Sequence, residues 1–125
     1  MPIMSDKKRN YAIGVFDSGL GGLTVVKELM KLLPYESIVY FGDTARVPYG
    51  TKSKEAIIRF SKENVDVLKK HNVKMIVVAC NTSSSFALPT LRESFSLPIL
   101  GVIKPGAKKA VETTRNHRVG IIATS

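Results

Sequence analysis

The chain has 125 residues, enough for one domain, and 44% of them are hydrophobic, a fraction that excludes a disordered protein. Its formal net charge is +9, yet the basic residues are scattered and form no dense run with aromatic residues, so we expect no nucleic-acid partner. No apolar run approaches the roughly 18 residues of a membrane span, and the single cysteine, which excludes an internal disulfide, favours a cytoplasmic protein.

The N-terminal part of the sequence predicts a tail, a strand and a helix. The first ten residues are charged and lack the apolar segment of a secretory signal, so we expect a flexible tail at residues 1–10 and one domain over residues 11–125. Residues 11–16 (YAIGVF) form a short apolar run of strand-forming residues, and the turn-rich DSGLGG follows. Apolar residues then recur at spacings of three and four, which predicts one helix face up to Pro34. These residues are Leu23, Val26, Met30 and Leu33.

The same alternation of strand and helix continues along the rest of the chain. A second strand is predicted at residues 37–42 (SIVYFG), and the loop DTARVPYGT follows it. A long helix is predicted from the N-cap Ser53 to about His71. Three further strands are predicted at residues 74–79, 98–103 and 118–125, with helices around residues 86–93 and from Pro105 onward.

The pattern of elements predicts the architecture. Strands that alternate with helices and are continuously apolar are typical of an α/β fold, here a doubly wound parallel sheet with helices on both faces. In such sheets, ligands bind beyond the carboxyl ends of the strands. Asp17 follows the first strand, Cys80 follows the third and Thr124 follows the fifth. We therefore expect Asp17 and Cys80 to face the same crevice.

Cys80 lies in the stretch VVACNTSSS, where an apolar strand meets a polar turn. A helix that begins there would offer free backbone N–H groups, which favour thiolate over thiol. Asn81 and Thr82 add hydrogen-bond donors for a bound carboxylate. The alternative is that Cys80 only fills space, since free cysteine is among the most buried residue types.

The loop DSGLGG offers a second group of candidates. Asp17 is either a cap for the next helix or a carboxylate that exchanges a proton with a thiol or a substrate amine. Gly19, Gly21 and Gly22 match no dinucleotide-binding or P-loop pattern, but they indicate close approach of the backbone to a ligand. Tyr49 lies in a PYG turn and fits either the core or a rim. One cysteine and two histidines are too few for a structural zinc site, and no signature of an organic cofactor occurs.

Four blocks of this sequence resemble, in order and spacing, the first half of bacterial glutamate racemases. The blocks are GVFDSGLGGLTV, YFGDTARVPYG, VVACNTSSS and GVIKPGA. The resemblance implies an isomerase that interconverts L- and D-glutamate without a cofactor and supplies D-glutamate for peptidoglycan, and so for cell wall biogenesis and cell shape. It also implies two similar lobes, each with one cysteine. One thiolate removes the Cα proton and the opposite thiol returns a proton.

The resemblance also implies roles for individual residues. Cys80 matches the first catalytic cysteine, and Asp17 matches the aspartate that helps to manage its proton. Positions that hold the substrate are matched by Asp17, Ser18, Tyr49, Gly50, Asn81 and Thr82, with Pro48 and Thr124 beside them. The family's second cysteine belongs to its second half and has no counterpart here. The sequence therefore predicts one lobe that is inactive without the missing second lobe.

Other readings of the same residues stay open. One alternative is an aspartate racemase of the same superfamily. Another is a non-catalytic ligand-binding α/β module in which Cys80 is passive. A homodimer also stays open, because the sequence does not define an oligomeric state.

Overall fold

A computed structural model describes residues 6–124 of the chain and shows one sheet of four parallel strands. The strands are β1 (Ala12–Asp17), β2 (Ile38–Gly42), β3 (Val73–Val78) and β4 (Ile99–Gly101). Their order across the sheet is β2-β1-β3-β4, so the first strand of the chain pairs with both β2 and β3 in the middle of the sheet. The predicted parallel sheet is confirmed.

Six α-helices connect and flank these strands within the described residues. They are α1 (Asp6–Arg9), α2 (Leu23–Leu32), α3 (Lys54–Lys69), α4 (Asn81–Phe86), α5 (Leu88–Ser94) and α6 (Ile103–Thr113). The predicted N-cap of α3 is confirmed, because Ser53 Oγ accepts a hydrogen bond from the Ala56 backbone N–H at 3.2 Å. Pro105 was predicted at the first helical position, but α6 begins two residues earlier at Ile103.

Helices cover both faces of the sheet, as predicted. On one face, Phe16 and Ile76 pack with apolar residues of α3 and α5. On the other face, Ile13, Val15 and Val77 pack with the partly buried face of α2. Side chains of a strand alternate between faces, so a central strand covered on both sides buries residues on both faces and is mostly apolar. The burial of all six residues of β1 follows from this.

The structure describes part of the predicted flexible tail, which spans residues 1–10, as a short helix. Residues 6–9 form the short helix α1, and the Tyr11 backbone N–H donates to Lys8 O at 3.1 Å. Lys74 on β3 donates from Nζ to Arg9 O at 2.9 Å, and it also pairs with Glu36. These bonds attach α1 to the start of the sheet. Residues 1–5 lie outside the described residues.

The prediction of a fifth strand is wrong over residues 118–124, the part of that strand which the structure describes. Residues 118–124 form no strand, and Ile121 and Ile122 are 84% and 103% exposed. The preceding helix, α6, buries none of its residues, so it does not pack the chain back against the sheet edge. The neighbouring β4 has only three residues and offers a short ladder for pairing. Ser125 lies outside the described residues.

None of the helices within residues 6–124 combines the length and the hydropathy needed to cross a bilayer.

Candidate functional site

A crevice of about 1160 Å³ lies at the carboxyl ends of the strands. Asp17 and Ser18 enter it from the end of β1, and Cys80, Asn81 and Thr82 enter it from the β3–α4 junction. The helices α2 and α6 and the segment 119–124 form other parts of its lining. The expectation that Asp17 and Cys80 share one crevice is therefore confirmed.

Cys80 is fixed by the junction of a strand and a helix. The Ala79 backbone N–H donates to Phe16 O at 2.8 Å, which holds the end of β3 against β1. The next residue, Cys80, is the N-cap of α4, and its Sγ accepts a hydrogen bond from the Ser83 N–H at 3.4 Å. The Ser18 hydroxyl lies 3.6 Å from Sγ, and the thiol is 4% exposed. Both neighbours could donate to a thiolate at this position.

Asp17 links the crevice to the start of α2. Its Oδ2 accepts a hydrogen bond from the Gly22 N–H at 2.8 Å, and Gly22 directly precedes α2. The carboxylate is buried, with 7% of the residue exposed, yet it still lines the crevice. Asp17 is not itself the N-cap of α2, which is Gly22, but its carboxylate anchors the backbone of that residue. This anchoring role does not compete with a role in proton transfer, because one carboxylate can do both.

Close packing explains why glycine occupies two positions near the site. A Cβ at Gly22 would lie 2.6 Å from Asp17 Cβ and 3.1 Å from Ala79 Cβ. A Cβ at Gly42 would lie 2.4 Å from the backbone oxygen of Gly19. These neighbours are backbone or near-backbone atoms and cannot swing away. The glycine-rich loop therefore lies tightly against Asp17 and the end of β2.

We expect Gly22→Ala to destabilise the chain by about 1–3 kcal/mol, the usual cost of forcing an extra methyl into a packed region. The matched control is Gly21→Ala, because a Cβ there would meet only Asp17 Oδ2 at an ordinary 3.8 Å. Neither glycine has a positive φ, so backbone strain does not confuse the comparison. Urea unfolding of both variants measures the difference. Equal free energies of unfolding for the two variants would contradict this account of the packing.

The structure brings together some of the predicted substrate-binding residues. Ser18, Asn81, Thr82 and Thr124 all line the crevice. Thr124 reaches it although the fifth strand is not formed, because the exposed segment before it runs along the crevice. The Thr124 side chain lies against Gly50, where an added Cβ would be 2.5 Å from Thr124 Cγ2. Pro48 is exposed and precedes the short turn that carries Tyr49 and Gly50.

The Tyr49 side chain lies in the interior rather than in the crevice. It is 1% exposed and packs with Ile57 and Cys80. Its hydroxyl donates to the Asp43 carboxylate and accepts a hydrogen bond from Asn64 Nδ2 at 2.9 Å. Arg46 completes this group by donating from Nε to Asp43 Oδ2 at 2.7 Å. A phenol with both hydrogen-bonding functions occupied has little left to offer a ligand.

Sequence reasoning missed the polar cluster of Asp43, Arg46 and Asn64 around Tyr49. The spacing of Asp43 and Arg46 by three residues was a signal that could have indicated an ion pair. Arg46 also pairs with Glu63, and its guanidinium carbon lies 4.1 Å from the centre of the Phe60 ring. No comparable signal exists for Asn64, which reaches Tyr49 from the distant helix α3.

We expect the free energy of unfolding to fall at alkaline pH, in part through Tyr49. Burial, reinforced by the hydrogen bond to Asp43, raises the pKa of Tyr49 above its ordinary value. The stability that depends on the neutral phenol is therefore present below about pH 10, the pKa of an unfolded tyrosine, and is lost as the pH rises above it. Urea unfolding between pH 7 and pH 11 measures this loss.

The matched comparison is Tyr49→Phe against Tyr35→Phe, since Tyr35 is fully exposed. Tyr49→Phe should lower stability at neutral pH by about 1–3 kcal/mol, because Asp43 and Asn64 lose a buried partner. It should also weaken the alkaline decline. An unchanged alkaline decline in Tyr49→Phe would show that another group causes it.

Tyr40 lies on the opposite face of the sheet from this cluster, beneath the glycine-rich loop. Its hydroxyl donates to Gly19 O at 2.7 Å. Burial, together with the negative charge of Asp17, raises the pKa of Tyr40. The phenol therefore stays protonated and remains a donor at neutral pH.

No group of three or more histidine, cysteine, aspartate or glutamate side chains within residues 6–124 is arranged to hold a metal ion.

The chain is similar in sequence to known racemases over most of its length. Residues 13–125 match the family model for Asp/Glu/hydantoin racemases. The glutamate racemase of Geobacter metallireducens is 57% identical over 113 residues, which are 90% of this chain and 42% of that protein. The chain thus spans less than half the length of the curated relatives that it matches.

Solved structures show the same partial coverage. Glutamate racemase from Aquifex pyrophilus matches with a TM-score of 0.82 at 51% identity, over 86% of this chain and 42% of that one. Glutamate racemase from Francisella tularensis, solved in complex with D-glutamate, matches with a TM-score of 0.75 at 48% identity, over 80% of this chain and 38% of that one. The likeness therefore extends over most of this chain in both sequence and fold.

Proposed function

This chain belongs to the Asp/Glu/hydantoin racemase family, and from that premise we propose that it forms the first of the two lobes of a glutamate racemase. The observation that carries the proposal is the position of Cys80 in the crevice, with the Ser18 hydroxyl 3.6 Å away and Asp17 in the same lining. Identities of 55–57% to glutamate racemases support glutamate as the substrate. The net charge of +9 also favours an anionic dicarboxylate.

Cys80 is the proposed catalytic base for one face of the substrate. Its thiolate takes the Cα proton, so that an S–H bond forms as the Cα–H bond breaks and the electron pair passes into the substrate carboxylate. The Ser83 N–H and the Ser18 hydroxyl stabilise the thiolate before the transfer. Asp17 accepts and returns the thiol proton between turnovers. The second face needs a second thiol, which in this proposal belongs to a second lobe.

Substrate binding is assigned to groups that surround the thiol. Ser18, Asn81 and Thr82 supply hydroxyl and amide groups that donate to the substrate carboxylates and whose oxygens accept from its ammonium group, and Thr124 adds another hydroxyl. Gly50, beside Thr124, and Pro48 contribute through their backbone and shape. Tyr49 acts through its backbone, because its hydroxyl is held by Asp43 and Asn64.

The complete enzyme is proposed to work in the cytoplasm and to supply D-glutamate for peptidoglycan, without an organic cofactor. Aspartate is the informative competing substrate, because the family includes aspartate racemases. A ligand shorter by one methylene would leave donors of the site unpaired, which a polar site rejects strongly.

Alkylation of Cys80 tests the proposal. We expect L- or D-glutamate to slow the reaction of the thiol with iodoacetamide, and we expect aspartate at the same concentration to have much less effect. Cys80 is the only cysteine, so one modified residue reports on the site, and Cys80→Ser is the unlabelled control. Equal protection by aspartate would favour an aspartate racemase. The absence of protection by either amino acid would favour a passive cysteine in a non-catalytic module.

A further inference from the structure

We propose that Tyr40 is a positioning residue that sets the Ser18 hydroxyl beside the Cys80 thiol. The inference rests on the proposed function of the crevice. Tyr40 does not line the crevice, and it acts through the backbone of the loop between β1 and α2.

The geometry of β2 directs Tyr40 toward this loop. Ile38 and Tyr40 lie on the face of the sheet that packs against α2, while Val39 and Phe41 lie on the opposite face. Tyr40 pairs with Val15 of β1, two residues before the end of that strand. A tyrosine at this position is long enough to reach past the strand end, and its hydroxyl meets Gly19 O at 2.7 Å.

The Gly19 carbonyl is held from two sides. The Tyr40 hydroxyl donates to it, and Gly42 approaches so closely that an added Cβ would lie 2.4 Å from the same oxygen. A glycine has few conformational restraints of its own, so outside contacts must define its carbonyl. Tyr40 and Gly42 provide these contacts.

Ser18 directly precedes Gly19, and the Gly19 carbonyl belongs to the next peptide of the loop, so anchoring this carbonyl limits how far the loop at Ser18 can move. The Cys80 thiol donates a hydrogen bond to the Ser18 hydroxyl at 3.6 Å, so the two side chains are direct neighbours. A hydroxyl held at this place can donate to the sulfur as it reacts, so its position affects the rate at which Cys80 is alkylated. A loop released at Gly19 would let the hydroxyl move away.

The Tyr40 phenol can donate this hydrogen bond to Gly19 O throughout the neutral pH range. Its environment, buried and beside the Asp17 carboxylate, keeps the hydroxyl protonated and therefore a donor. The residue is only partly buried, and Tyr40→Phe removes a single oxygen atom without opening a cavity for an aromatic ring.

A double-mutant cycle tests the inference. The rate of Cys80 alkylation by iodoacetamide at pH 7, without glutamate, is measured for the original chain, Tyr40→Phe, Ser18→Ala and the double variant. We expect Tyr40→Phe to slow alkylation by about fivefold, the size of effect that the loss of one hydrogen bond produces. Because Tyr40 acts through Ser18, the double variant should be no slower than Ser18→Ala alone. Tyr35→Phe, at a fully exposed position, is the matched control and should leave the rate unchanged.

Additive effects in the double variant would overturn the inference, and so would an unchanged rate in Tyr40→Phe. Thermal unfolding of every variant is followed by circular dichroism, and a Tyr40→Phe chain that fails to fold would show a structural role instead. Gly42→Ala provides a second variant, because it displaces the same carbonyl while keeping Tyr40. We expect Gly42→Ala to slow alkylation in the chain that retains Ser18 but to have no effect in the Ser18→Ala background. The readout uses no glutamate, so failure of the proposed function would leave this result unaffected.

Discussion

Replacing Cys80 with alanine is expected to abolish exchange of the glutamate Cα hydrogen with heavy water while leaving the chain folded. The chain has one cysteine, so this change removes every thiol from it. The side chain is small and packs against Tyr49 and Ile57, so its truncation should cost only about 1 kcal/mol of stability. Proton NMR follows the Cα hydrogen, and circular dichroism confirms the fold.

The unmodified chain is expected to show slow exchange from one face of Cα without racemisation. Racemisation needs a proton donor on the face opposite the base, and the single thiol can serve only one face. Water in an open crevice also weakens the electrostatic stabilisation of a carbanion. Optical rotation of each enantiomer should therefore stay constant as the NMR signal decays.

A rapid loss of optical rotation would contradict this expectation. A homodimer that placed two copies of Cys80 across one substrate would also cause it, and a concentration series separates the cases. Racemisation by a dimer rises with the square of concentration at low concentration, whereas the activity of a single chain rises in proportion.

Replacing Asp17 with asparagine is expected to lower the exchange rate by about 10² to 10⁴, the range for the loss of a general acid–base group. The asparagine Oδ1 can still accept the hydrogen bond from the Gly22 N–H, so the start of α2 keeps its anchor. The change therefore removes the charge and the titratable proton but not the cap. Exchange rates and urea unfolding, measured on the same samples, separate the two roles.

Asp17→Ala is the comparison, because it removes the cap as well as the charge. It should lower the free energy of unfolding by about 1 kcal/mol more than Asp17→Asn. An Asp17→Asn chain with normal exchange per folded molecule would leave Asp17 with a capping role only.

Much of the sheet was predictable because the central strands consist mostly of consecutive apolar residues. The end of a parallel strand is also a defined place in space, which is why Asp17 and Cys80 could be assigned to one crevice from sequence. The segment 118–124 has the same apolar character, yet it forms no strand. The composition of a segment indicates its tendency to pair in a sheet. It does not indicate whether the preceding helix positions the segment beside an unpaired strand edge.

The orientation of Tyr49 could not be predicted for a similar reason. A PYG turn places the ring near the site, but partners far away in the chain decide which way the hydroxyl points. These partners are Asp43 and Asn64, and the second of them comes from α3. The turn left a core or a rim position open for Tyr49 and the resemblance implied a substrate contact, whereas the burial of its hydroxyl depends on tertiary packing.

The central place of β1 has a consequence for how this chain is made. Ribosomes release the N-terminus first, so β1 emerges before either neighbour and gains its second partner only when β3 has been translated. Synthesis at 5–20 residues per second leaves roughly two to seven seconds between the ends of β2 and β3. During that interval one edge of β1, a strand whose six residues are all buried in the folded chain, stays open on the nascent chain. This lobe is therefore expected to depend on ribosome-associated chaperones until Val78 has left the exit tunnel.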